Sequence, residues 1–101
     1  MMINEKILIE IKHEGIIYLV QIDSKHDMLF EDEGRWEADV DYLSSNGLKR
    51  NSEAPYPYFT VWGDLDKEGC PTTNEIHGLV NYENYDARLT TSDIRVLSDN
   101  V

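Results

Sequence analysis

Two runs of alternating apolar residues, separated by a single glycine-bearing turn, constrain this chain most. Lys6 to His13 reads K-I-L-I-E-I-K-H, with Ile7, Ile9 and Ile11 falling on every second position. That period of two marks a strand with one buried and one solvated face. Gly15 interrupts the pattern, and Ile16 to Ile22 follows as I-I-Y-L-V-Q-I, rich in β-branched and aromatic residues. The pair predicts a β-hairpin. The second strand is the more apolar and is expected to lie more centrally in its sheet.

Beyond the hairpin, Asp23 to Gly34 is polar, with Met28, Leu29 and Phe30 expected to fold back on the core. Trp36, Val40 and Leu43 fall at i, i+4, i+7 and predict an amphipathic helix over Arg35 to Ser45. Asn46-Gly47 suits its C-terminal cap, because glycine accepts the left-handed conformation there. Pro55 and Pro57 favour extended backbone before them. They lead into a strand over Tyr58 to Trp62, where at least two of Tyr58, Phe59 and Trp62 are expected in the sheet core. Gly63 to Asn74 reads as a polar loop, Ile76 to Tyr82 as a strand or short helix, and Asn81 to Asp86 as a turn. Ala87 to Leu89 fits neither pattern, and Asp93 to Ser98 reads as a final strand or a turn of helix. The expected fold class is therefore α+β over residues 1–101: one domain, an antiparallel sheet with one helix packed on it, in the order β-β-α-β-β-β. No apolar run is long enough to span a membrane as a helix.

Charge narrows the choice of partner. The 101 residues carry 20 acids and 9 bases, a formal net charge of -11. Seven of the acids (Asp27, Glu31, Asp32, Glu33, Glu37, Asp39 and Asp41) crowd one stretch that holds a single base, Arg35. Such a field repels nucleic acid and anionic membrane and attracts basic protein surfaces. The nine bases are scattered and offer no groove for phosphates. On a helix, Glu33, Glu37 and Asp41 would form one row, with Asp39 and the aromatics Tyr56 and Tyr58 nearby as anchors. The expected function is an acidic protein inhibitor that occupies a basic surface of a nuclease or nucleic-acid-binding complex. Mimicry of nucleic acid is one mechanism open to it, of the phage anti-defence or bacterial immunity type. A homodimer would have to use a less charged surface, such as a sheet edge. The alternative is a small calcium-binding or structural interaction module.

The calcium alternative rests on D64-L-D-K-E-G-C-P-T-T-N-E75. This segment resembles the EF-hand calcium loop, with Asp64, Asp66 and Glu68 at its first, third and fifth positions, glycine at the sixth and Glu75 at the twelfth. It departs from that pattern in the longer Glu68 and in Pro71 at the eighth position. No zinc-type spacing joins Cys70, His77, His13 and His26. No nucleophile motif or phosphate loop is present, so no catalytic residue and no cofactor is expected. The lone Cys70 and the absence of a basic-then-apolar leader in Met1 to Glu10 point to the cytoplasm.

Overall fold

The computed structural model of the chain describes residues 6–31, 34–50, 53 and 55–98. The first hairpin forms as expected: β1 (Lys6–His13) pairs with β2 (Ile16–Asp23), His13 facing Ile16 across the turn. Glu14 and Gly15 both take positive φ, 52° and 80°, the backbone that a two-residue turn needs to follow the twist of its strands. After it come β3 (Met28–Glu31), β4 (Arg35–Val40), β5 (Tyr42–Ser45), β6 (Leu48–Lys49), β7 (Tyr58–Asp64), β8 (His77–Asn81), β9 (Asp86–Leu89) and β10 (Ile94–Ser98). A single 3₁₀ turn, Thr91–Asp93, is the helical element among the described residues.

The strands make two five-stranded antiparallel sheets, in the orders β10-β1-β2-β5-β6 and β3-β4-β7-β8-β9. Between them lies the core. Ile7, Ile9, Ile11, Tyr18, Val20 and Ile22 come from the first sheet, and Trp36, Ala38, Val40, Phe59, Val61, Val80 and Leu89 from the second. Each large apolar side chain buried there contributes about 1.5–3 kcal/mol. β1 and β2 are both interior strands of the first sheet, flanked by β10 and β5.

The expected α+β class is overturned: the molecule is a two-sheet β structure, and among the described residues no helix packs on either sheet. Arg35 to Val40 reads R-W-E-A-D-V, which alternates outward and inward without a break. Trp36, Ala38 and Val40 are buried, whereas Arg35, Glu37 and Asp39 point out. Two inward positions four apart satisfy both periods, so Trp36 and Val40 fitted a helix equally well. The third member of the helical stripe, Leu43, is 46% exposed on β5. Burial decides for the strand, because this conformation places three of six side chains between two sheets. Asn46 and Gly47, expected to cap the helix, instead form the β5–β6 turn, with φ of 48° and 82°. The same left-handed preference serves either device.

Trp36 also explains a glycine. A Cβ on Gly63 would come within 2.8 Å of Trp36 Nε1. The indole lies flush on β7, and its Nε1–H donates to the Thr72 carbonyl at 2.9 Å. Other expectations shift by less. Met28 is buried, but Leu29 and Phe30 are 66% and 47% exposed. Phe59 alone of Tyr58, Phe59 and Trp62 enters the core; the other two are half-buried. Ile76 to Tyr82 contains β8, and Ala87 to Leu89 belongs to β9. No helix among the described residues is long and apolar enough to cross a membrane.

Asp41 is the one residue between β4 and β5, which belong to different sheets. The chain thus passes from one sheet to the other in a single step, a corner of the kind that closes β-sandwiches.

Candidate functional site

Because side chains alternate, every second residue of β4, β7, β8 and β9 reaches the outer face of the second sheet. The register lines them up in rows. Leu29, Glu37, Trp62 and His77 form one row across β3, β4, β7 and β8. Asp39, Thr60, Leu79 and Arg88 form the next, across β4, β7, β8 and β9. Tyr58, Asn81 and Asp86 make the third, with Asp41 at the corner that follows Val40. The face therefore carries a column of carboxylates along β4 beside a column of Tyr58, Thr60 and Trp62 along β7.

The carboxylates are individually held. Arg35 Nη2 donates to Glu37 Oε1 at 3.2 Å. The Thr60 hydroxyl donates to Asp39 Oδ1 at 2.6 Å and accepts from the Asn81 amide at 2.9 Å. Asp41 stands 3.7 Å from Arg50 and is two-thirds exposed. Tyr56 and Tyr58 lie side by side, ring centroids 6.0 Å apart.

Five of the residues expected to bind a partner are thus placed together: Glu37, Asp39, Asp41, Tyr56 and Tyr58. They meet on a sheet face and its corner, not on a helix. Glu33 lies outside the described residues. Sequence reasoning missed Trp62, Arg35, His77 and Arg88 as parts of this face. The Trp62 ring has His77 stacked on it at 6.0 Å and 11°, with the Arg35 and Arg88 guanidinium carbons 5.4 Å and 5.8 Å from its centre. The strict alternation of R-W-E-A-D-V was the signal that would have placed Arg35, Glu37 and Asp39 on one side.

The residues of the calcium-like segment serve a hairpin loop. Asp66 Oδ1 accepts from the amides of Glu68 and Cys70, each at 2.9 Å. The Asp64 carbonyl accepts from the Thr72 amide at 2.8 Å and from its hydroxyl at 2.9 Å. Glu75 lies against His77 Nε2 at 3.1 Å. Among the described residues no three His, Cys, Asp or Glu side chains gather into a group that would hold a metal ion. Asp64, Asp66, Glu68 and Glu75 are not brought together.

A second polar cluster forms at the β1–β2 turn. Glu14 Oε1 accepts a long hydrogen bond from the Tyr82 hydroxyl at 3.5 Å and lies 3.8 Å from His13 Nε2. Tyr82 stacks on Tyr85 at 4.8 Å. Burial, and then the nearby Glu14 carboxylate, push the Tyr82 phenol up to about 12. Burial raises Tyr18 as well. A phenol so hard to ionise is a poor acid or base near neutral pH.

No protein-family model, no curated protein and no solved structure matches this chain.

Proposed function

We propose that the protein is a non-catalytic inhibitor that docks the outer face of its second sheet onto a basic surface of a nuclease or another nucleic-acid-binding protein, and so keeps nucleic acid off that surface. The observation that carries this reading is the column of Glu37 and Asp39, with Asp41 at the corner beyond it, running beside Tyr58 and Trp62. Carboxylates two residues apart on a strand are about 6.7 Å apart. One such column is sparser than the phosphates of a duplex, which place a charge about every 1.7 Å of axis. Asp86, in the third row, and Asp64, opposite Arg35, add charges on either side of it. Long-range attraction from a chain of net charge -11 speeds capture. The half-buried aromatics slow release, as Tyr and Trp do at the centres of interfaces.

The test is competition. The protein is immobilised and exposed to native host lysate, and a retained nucleic-acid-binding protein is then challenged with duplex oligonucleotide. Displacement by the duplex, together with loss of retention when Glu37, Asp39 and Asp41 are replaced by Lys, supports the reading. A retained partner that binds duplex and this protein at once would end it, as would equal retention by the triple variant.

A further inference from the structure

We infer that Arg88, held against the Trp62 ring, forms a seat for one oxyanion, a carboxylate or phosphate group, on the outer face of the second sheet. Three groups able to carry positive charge surround Trp62, and two of them are answered. Arg35 meets Glu37 at 3.2 Å, and His77 meets Glu75 at 3.1 Å. Arg88 has no ion pair or hydrogen bond among the described residues; what holds it is the Trp62 ring, 5.8 Å from its guanidinium carbon. In a chain with 20 acids and 9 bases, an arginine left without a carboxylate runs against simple electrostatics. Asp86 stands on the same face of the same strand and does not pair with it.

The ring explains how Arg88 is kept in place. A cation–π contact fixes the guanidinium without using any of its five N–H donors. Arg88 lies on β9 and reaches across β8 to Trp62 on β7. A second guanidinium, that of Arg35, sits 5.4 Å from the same ring, and its Nε is buried without a hydrogen-bond partner among the described residues. The unspent donor fork of Arg88 matches the planar, two-oxygen edge of a carboxylate or the paired oxygens of a phosphate, and Arg35 adds positive charge at the same ring. The acidic field of the molecule opposes free anions and is screened over about 8 Å at physiological salt.

The test needs no partner, so it stands or falls apart from the docking proposal. Trp36 is fully buried and Trp62 half-buried on the outer face, so a change in tryptophan emission on adding anion reports Trp62. The folded protein is titrated with acetate and, separately, with inorganic phosphate, at constant ionic strength balanced with chloride. A saturable change is expected, weakened about tenfold or more by Arg88→Gln, the scale set by loss of a charged hydrogen bond. Arg35→Gln weakens it less. Saturation by acetate alone marks a seat for an acidic side chain, and saturation by phosphate alone marks a phosphate seat; both support the proposal. A linear response to both anions, or an equal response from Arg88→Gln, overturns it. So does a fall of more than a few degrees in the melting temperature of Arg88→Gln, which would show that the guanidinium serves the packing of Trp62 itself.

Discussion

The two sheets share one core but turn different faces outward. The first shows Lys6, Lys12, Lys49 and Arg95, with Leu8, Ile17 and Leu19 among them and the acids Glu10 and Asp23. The second shows Glu37, Asp39, Asp64 and Asp86, with Tyr58 and Trp62 among them and two arginines gathered at one ring. Net charge alone would describe an evenly acidic particle. The alternation of each strand instead sorts the bases toward the first sheet and the acids with aromatics toward the second. Four of the nine bases lie on the first face, which makes it a poor match for a basic partner. The docking proposal therefore belongs to one side of the molecule and makes the other its control.

The strongest way to break this contrast is from beneath. Gly63→Ala places a methyl group against the Trp36 indole, under the β7 segment that carries Trp62. Overpacking of this kind costs about 1–3 kcal/mol. A fall in melting temperature of several degrees is expected, with loss of near-ultraviolet tryptophan dichroism. An unchanged melt would mean that the second sheet does not need this close approach.

Charge reversal on each face sharpens the comparison next. Replacing Glu37, Asp39 and Asp41 with Lys is expected to slow association with the captured basic partner about tenfold or more at low salt, because steering alters on-rates by such factors. Replacing Lys6, Lys12 and Arg95 with Glu is expected to leave that rate unchanged or raise it. Stopped-flow rates against ionic strength measure both, and equal slowing by the two triple variants would erase the distinction between faces.

A smaller effect lies within the acidic column. Thr60→Val removes the hydroxyl that joins Asp39 to Asn81. Loss of such hydrogen bonds, with the buried Asn81 left unsatisfied, is expected to lower stability by about 1–2 kcal/mol in urea melts. Asp39→Asn keeps an acceptor and is expected to lower it less.

The smallest is a pH effect away from both faces. The Tyr82 phenol is raised from 10.0 to about 12, so folding favours its neutral form. The stability it contributes is fully present below pH 10 and is lost as pH climbs through 12. Tyr82→Phe is expected to flatten the decline of stability across that window, and absorbance titration at 295 nm should show one late-ionising tyrosine fewer.

How much of this was legible depended on which periods competed. Ile7, Ile9 and Ile11 admit only a strand, so the first hairpin and its turn were readable residue by residue. Trp36 and Val40 admit both a strand and a helix, and Asn46-Gly47 suits the end of either, so only the strict alternation of R-W-E-A-D-V spoke for the strand. β3 was hidden because Met28 is buried while Leu29 and Phe30 are exposed; an edge strand shows too few inward residues to set a period. Glu37, Asp39 and Asp41 were singled out for their charge, and their gathering on one side follows from alternation. The Trp62 cluster was not readable at all. Arg35 and Arg88 reach that ring only through the pairing of β4 and β8 with β7 and of β9 with β8, and no local pattern encodes those pairings.

The order in which the chain visits its sheets has a consequence for how it assembles. β1 and β2 belong to the first sheet, β3 and β4 to the second, β5 and β6 to the first, β7, β8 and β9 to the second, and β10 to the first again. β1, near one end of the sequence, waits for β10, near the other, to cover its free side. Neither sheet is built from one contiguous stretch of the chain. Contacts so distant in sequence place such a chain among the slower small folders, in the millisecond-to-second range. The hairpins can form and dissolve quickly by themselves, but one completed layer alone would leave its apolar inner face bare to water. The two layers are therefore expected to melt together, as one cooperative unit.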